Sequence, residues 1–248
     1  MQIKLLKPSE MPENNISILC TRPLNDKIIQ KAAARNISID TLPFIETNAI
    51  LSIETKALLD KLASKKIAAV FTSMNAIESV TRQLPVIPNW KIYCMAGITK
   101  DLAIQFFGNK ATMITAKNAA ALADEIIKEK EQEEIIFFCG DQHLPDLPEK
   151  LSQQHIPVKE MVVYTTMYTP SKIEKEYDGI VFFSPSAVHS YFSMNKSEEK
   201  QIFFSIGKST TSAIQLYSNN LVVTSDWPGK EQMADLVITY FSTLQPIQ

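Results

Sequence analysis

Short apolar runs alternate with amphipathic stretches along this chain from residue 16 onward. The runs read as strands: ISILC (16–20), SIDTLPFIET (38–47), KIAAVFTS (66–73), KIYCMAG (91–97) and ATMIT (111–115), then EIIFFC (134–139), VKEMVVYTT (158–166), DGIVFFS (178–184), QIFFSIG (201–207) and NLVVTS (220–225). Between them lie helical stretches such as DKIIQKAAARN, NAIESVTRQL, KDLAIQFFGN, NAAALADEIIKEKEQ, PDLPEKLSQQH, SAVHSYFSM, TTSAIQLYSN and KEQMADLVITYFSTL. Strands alternating with helices of about ten residues predict βα units around parallel sheets, an α/β fold. Residues 1–15 are polar, contain two prolines and read as a loose leader.

The pattern also repeats. FTSMNAIESV opens at Phe71 and FFSPSAVHSY at Phe182, a separation of 111 (182 − 71). ALADEII and MADLVIT keep that separation through Ala123 and Ala234, and AGITKDLAIQ lines up with IGKSTTSAIQ near it. A second pair follows a shift of 119: Cys20 with Cys139 and Ile37 with Ile156, within ILCTRP…SIDTLPFIET and FFCGDQ…VKEMVVYTT. The order is therefore A, B, A′, B′, which predicts two similar doubly wound parallel-sheet domains of flavodoxin- or Rossmann-like type. The repeat does not decide which A joins which B. Pro43 and its neighbours suit a crossover between domains.

Composition narrows the class. With 45% hydrophobic and 21% charged residues, the chain can build a globular core. Its net charge of −2 argues against a nucleic-acid binder that works by neutralising phosphates. No run approaches the roughly 20 apolar residues of a membrane span, and residues 1–15 lack the apolar core of a signal peptide, so the expected location is cytoplasmic, away from membranes. Cys20, Cys94 and Cys139 sit in apolar runs without a CxxC pair and read as small buried residues. His143, His155 and His189 are scattered without ligand spacing, so no metal is expected. The acidic run EKEQEE (129–134) reads as a solvated helix end.

Ligands on doubly wound sheets bind outside the carboxyl ends of the strands. Those ends carry small hydroxyl residues here: Thr72-Ser73-Met74-Asn75, Gly97-Ile98-Thr99, Ser184-Pro185-Ser186 and Gly207-Lys208-Ser209-Thr210-Thr211. Each is first a helix N-cap. Converging on one cleft, such N-termini would also offer N–H donors to carboxylates. There is no GxxxxGK(S/T), GxGxxG or GxSxG, which removes the P-loop, dinucleotide and nucleophile-elbow readings.

The string TRP (21–23) after the first strand, FTSMNAIESV, AGIT, VVYTT (162–166), FFSPSAVHSYF, and IGKSTTSAI with a final helix around MADLV together resemble the uroporphyrinogen-III synthase family. The resemblance runs from about residue 16 to 242 and lies in the order and spacing of weak motifs. It implies two α/β domains joined by a two-stranded linker: roughly 1–41 plus 166–248, and an inserted 42–165, with linker strands near 41–47 and 161–166. It implies an enzyme without metal or redox cofactor that converts hydroxymethylbilane; a monomer is expected, with transient handover from the preceding pathway enzyme. Tyr164 takes the place of the family's catalytic tyrosine. Arg22, Thr72, Ser73, Asn75, Thr99, Ser184, Ser186, Ala187, Lys208, Thr210 and Thr211 match the loops that hold the substrate's carboxylates, often through backbone amides. One departure stands out: many relatives carry an arginine shortly after the glycine that ends the EIIFFC strand, where this chain reads Gly140-Asp141-Gln142-His143. Two other readings stay open: a non-catalytic tetrapyrrole- or anion-binding module, and a flavodoxin-like regulatory domain. The latter would want an acidic cluster at strand ends that instead carry Ser, Thr and Gly.

Overall fold

The computed structural model describes residues 15–244 apart from Lys110 and Pro228; the expected leader lies outside the described residues except for Asn15. In chain order the elements are β1 (Ile16–Cys20), α1 (Asp26–Ala33), β2 (Ile37–Thr41), β3 (Ile45–Ala49), α2 (Ile53–Ala63), β4 (Ile67–Phe71) and α3 (Met74–Thr81). Then follow β5 (Lys91–Met95), α4 (Ile98–Phe107), β6 (Met113–Ala116), α5 (Ala119–Lys128), β7 (Glu134–Gly140), α6 (Asp146–Gln153) and β8 (Val158–Tyr168). The last part holds β9 (Gly179–Phe182), α7 (Pro185–Phe192), β10 (Ile202–Ser205), α8 (Lys208–Gln215), β11 (Val222–Thr224) and α9 (Lys230–Leu244). This is an α/β protein with parallel sheets.

Its contacts divide it into two compact units. One is the chain up to Glu46 together with the chain from Tyr168; the other spans Thr47–Met167. In the first, five parallel strands run in the order β11-β10-β9-β1-β2. In the second, the order is β6-β5-β4-β7-β8, parallel throughout, with β3 added beyond β8. The hydrogen bonds Ile50 N–Val163 O and Thr169 N–Phe44 O fall on opposite ends of that last pair, so β3 and β8 run antiparallel. Both five-strand sets share one arrangement: the βαβ pair of an A unit beside the three strands of a B unit. The first unit joins A with B′, the second joins B with A′.

The strands form because the runs are apolar on both faces, as a sheet covered by helices on each side requires. All five residues of β4 are buried, as are all four of β9 and of β10. In the second unit Phe71, Phe138 and Trp90 stack on one face, Phe138 lying 5.1 Å from Phe71 and 5.5 Å from Trp90. Phe137, Tyr93, Leu122, Leu147 and Leu151 fill the other face. In the first unit Phe204 packs against α9 on one face, while Phe182 and Phe203 pack against α7 and α8 on the other.

Three features depart from the sequence expectation. The run at 38–47 is not one strand. It breaks at Leu42-Pro43-Phe44 into β2 and β3, which belong to different sheets. Pro43 has no N–H to continue a ladder, and Phe44 is fully buried edge-on against Tyr191 at 5.2 Å. Helix α2 is absent from the predicted stretches. It is capped by Ser52, which accepts from Thr55 N at 3.1 Å, and is held by buried Leu59 and Leu62. In the acidic run, Glu131 is not solvated: its side chain is only 5% exposed, accepts from the Tyr93 hydroxyl at 2.7 Å and pairs with Lys91.

Phe138 joins β7 to both of its stacked neighbours, so its truncation is expected to cost ~3–5 kcal/mol. Urea unfolding of Phe138→Ala should show the loss as a lower midpoint with little change in slope.

Candidate active site

In a doubly wound sheet the crevice for a ligand opens where the strand order reverses. In the second unit that point lies between β4 and β7, whose carboxyl ends carry Thr72-Ser73 and Gly140. Tyr164 is brought there by an irregularity in β8. Cys139 is opposite Val162, but Gly140 is opposite Tyr164, so Val163 is an extra residue in the ladder. Strict alternation would point Tyr164 to the same face as Glu160 and Val162. The bulge turns it to the other face, where it packs with the Phe71–Phe138 cluster. Gly140 makes room for it: a β-carbon there would lie 2.5 Å from the ring's Cε2 and 2.7 Å from its hydroxyl. Around this point Asp141 N donates to Tyr164 O at 3.1 Å, Asp141 Oδ1 accepts from Thr166 N at 2.8 Å, and Gln142 Nε2 donates to Thr166 O at 2.9 Å.

The phenol oxygen meets the start of α3. Ser73 is the N-cap and accepts from Ala76 N at 3.2 Å. Its hydroxyl donates to the Tyr164 oxygen at 3.1 Å. Burial raises the phenol's pKa above its ordinary value; the bond from Ser73 and, more weakly, the nearby Asn75 side chain oppose the rise, and the charge of Asp141 adds to it. The group is thus protonated at neutral pH, with the Ser73 hydroxyl and a helix N-terminus beside it to stabilise a phenolate.

The remaining residues named from the sequence fall into distinct environments. Thr72 is half-buried at the end of β4. Ser184 caps α7 by accepting from Ala187 N at 3.2 Å, which commits the amide of buried Ala187, and Pro185 has no N–H; Ser186 is half-buried in that first turn. Gly97 and Gly207 precede α4 and α8 without a side-chain cap, so first-turn amides there remain for water or a ligand. Gly97 has φ 77°, a conformation that favours glycine. The side chains of Thr99 and Thr210 are buried, at 4% and 3% exposure. The Thr211 hydroxyl bonds Ser205 Oγ and Thr224 Oγ1, tying α8 to β10 and β11. The hydroxyls of these three threonines are thus buried or already bonded. Lys208 is exposed at the first turn of α8.

In the first unit the reversal lies between β1 and β9, and Arg22 follows β1 there. Lys230, at the start of α9, donates to Pro23 O at 2.7 Å. Burial lowers its pKa and the charge of Arg22 lowers it further, so two cations share this strand end. The sequence reading missed Lys230 and Gly140. A lysine opening the last helix gives no local sign of proximity to residue 22. For Gly140 the signal was present, a glycine ending a fully apolar strand.

Fold and site together define a two-unit α/β protein: the strand ends of one unit carry a protonated tyrosine at a helix N-terminus, and those of the other carry two cations. The family described as uroporphyrinogen-III synthase HemD matches residues 26–235, and the chain belongs to that family. No curated protein matches it. Among solved structures it is similar to the uroporphyrinogen-III synthetase of Helicobacter pylori, with 16% identity over 91% of this chain and 99% of that one and a TM-score of 0.61. It is also similar to a mutant uroporphyrinogen III synthase of Thermus thermophilus, with 12% identity over 92% and 98% of the two chains and a TM-score of 0.63. At these identities the likeness establishes the shared fold.

Two outcomes follow. Gly140→Ala should destabilise the protein by about 1–3 kcal/mol through overpacking. In a Tyr164→Ala background the same change should cost much less, because the ring it strikes is gone; additive costs in a double-mutant cycle would contradict the packing assignment. The buried phenol also has a signed pH effect. Its folded pKa is raised, so its contribution to stability is complete below the unfolded value of ~10 and is lost as pH rises through the folded one. Urea-derived stability should fall above pH ~10, and fall less steeply in Tyr164→Phe.

Proposed function

We propose that this protein closes hydroxymethylbilane into uroporphyrinogen III, with inversion of the last pyrrole and loss of water, and that Tyr164 is its general acid. This is lyase chemistry within porphyrin and heme biosynthesis. The observation that carries the residue assignment is the Tyr164 hydroxyl, held by Ser73 at the N-terminus of α3 beside the strand-order reversal. With Ser73 donating to its oxygen, the phenol keeps its own proton to give.

The substrate's terminal hydroxyl is a poor leaving group until protonated. Tyr164 gives it a proton, water departs, and an electrophilic azafulvenium cation remains beside the phenolate. Ser73 and the helix N-terminus stabilise the phenolate. The terminal ring attacks through its substituted carbon to give a spiro intermediate. Fragmentation and reclosure invert that ring, and the proton it sheds restores the phenol. One water is lost and the acid is regenerated. Donors for the substrate's carboxylates are the first-turn amides of α4 on one unit, and those of α8 with Lys208, Arg22 and Lys230 on the other. Holding the chain in one geometry separates this product from the isomer formed without inversion. The protein is proposed to act as a monomer, supplied by the preceding pathway enzyme.

With freshly generated hydroxymethylbilane, purified protein should give predominantly isomer III after oxidation and chromatographic separation. Tyr164→Phe is expected to lower kcat by ~10²–10⁴ with a much smaller effect on KM. Isomer I alone, at the spontaneous rate, would overturn the enzyme reading in favour of a tetrapyrrole-binding module.

A further inference from the structure

On the face of the β7–β8 sheet opposite Tyr164, three metal-ligating side chains come together. Cys139 and Glu160 lie on one face of adjacent strands, since Glu160 is opposite Phe137 and Val162 is opposite Cys139. The turn after Gly140 brings His143 over them, its ring edge-on to Phe137 at 5.3 Å. Cys139 Sγ, a His143 ring nitrogen and a Glu160 carboxylate oxygen all lie within 4.8 Å of one another. The sequence offered no such spacing, because residues 139, 143 and 160 meet only through the turn and the strand pairing.

The histidine is already oriented for coordination. Its Nδ1 lies 3.0 Å from Gly140 O, a carbonyl that can only accept, so Nδ1 carries a proton. In the neutral ring this leaves the Nε2 lone pair facing Glu160 Oε2 at 3.1 Å. Two acceptors in that position require a cation between them, either a proton or a metal ion. A backbone carbonyl fixing the far nitrogen is the usual support of a metal-bound imidazole. The third group within reach is a thiol, a soft donor that favours a d-block ion over magnesium or calcium.

We propose that Cys139, His143 and Glu160 form a site for one Zn²⁺-like divalent cation, with water as the fourth ligand. Ligands around such an ion, at bond lengths of about 2.0–2.3 Å, lie roughly 3.5 Å apart, so a movement of about an ångström closes the set. Cys139 is buried, His143 half-buried and Glu160 exposed, which gives the ion an inner anchor and an open approach from solvent. Binding replaces the thiol proton, which leaves to solvent, with a sulfur–metal bond. The ion would pin β7, β8 and the 140–143 turn at the bulge that aims Tyr164, from the face away from the phenol. It acts on conformation and takes no part in the cyclisation.

The test uses the full chain without an affinity tag, stripped with chelator. Calorimetric titration with Zn²⁺ should give one ion per chain and a higher Tm. Co²⁺ should produce the near-ultraviolet sulfur-to-metal charge-transfer band and the strong visible bands of a four-coordinate thiolate site. Cys139→Ala and His143→Ala should each weaken Zn²⁺ binding by more than the ~10–100-fold typical of losing a supporting hydrogen bond. If Cys139→Ala fails to fold, His143→Ala and Glu160→Gln, at less buried positions, serve in its place. Absence of saturable Zn²⁺ binding, binding unchanged in His143→Ala, or a cobalt spectrum without the charge-transfer band would overturn the site and leave a proton between His143 and Glu160.

Discussion

The single extra residue in β8 is the constraint on which the site depends. By inserting Val163 between the partners of Cys139 and Gly140, the bulge moves one side chain from one face of the sheet to the other. Without it, Tyr164 would point with Glu160 and Val162, away from α3. With it, the phenol reaches a place where a cap serine, an asparagine and the strand-order reversal coincide. Gly140 is the counterpart, since only an absent side chain leaves space for the ring. A bulge next to a reactive group re-aims a residue that strand geometry alone would misdirect.

The rest of the scaffold supplies positions. Each unit buries a five-stranded parallel arrangement between helical layers, and parallel strands deliver all their carboxyl ends to the same edge. Ser73 and Ser184 cap their helices and are each consumed partly by that task. Gly97 and Gly207 do not cap by side chain, and so leave backbone donors for a ligand. An anion can thus be held by a protein of net charge −2, because the donors are dipoles fixed at helix ends more than surplus cations.

Much of this was legible in the chain. Apolar runs located the strands, and the A, B, A′, B′ order exposed the duplication. Pro43 marked the break where the chain leaves one sheet for the other. What stayed hidden has physical causes. Helix α2 buries only Leu59 and Leu62, so its pattern is faint. Thr99, Thr210 and Thr211 look like ligand hydroxyls, yet the first two residues are buried and the hydroxyl of the third is bonded to Ser205 and Thr224. The bulge is invisible because Met161–Tyr164 are four apolar residues in a row, which suit either face of a strand in any register. The proximity of Lys230 to Arg22, and of Cys139 to His143 and Glu160, depends on strand order and a turn that no local pattern encodes.

The central claim is that Tyr164 protonates a leaving hydroxyl, and a change of leaving group tests it most directly. A bilane carrying a terminal group that departs without protonation should be cyclised by Tyr164→Phe at nearly the rate of the unaltered protein, although hydroxymethylbilane is not. A defect of equal size with both substrates would contradict the role as acid and make Tyr164 a residue that only positions the chain.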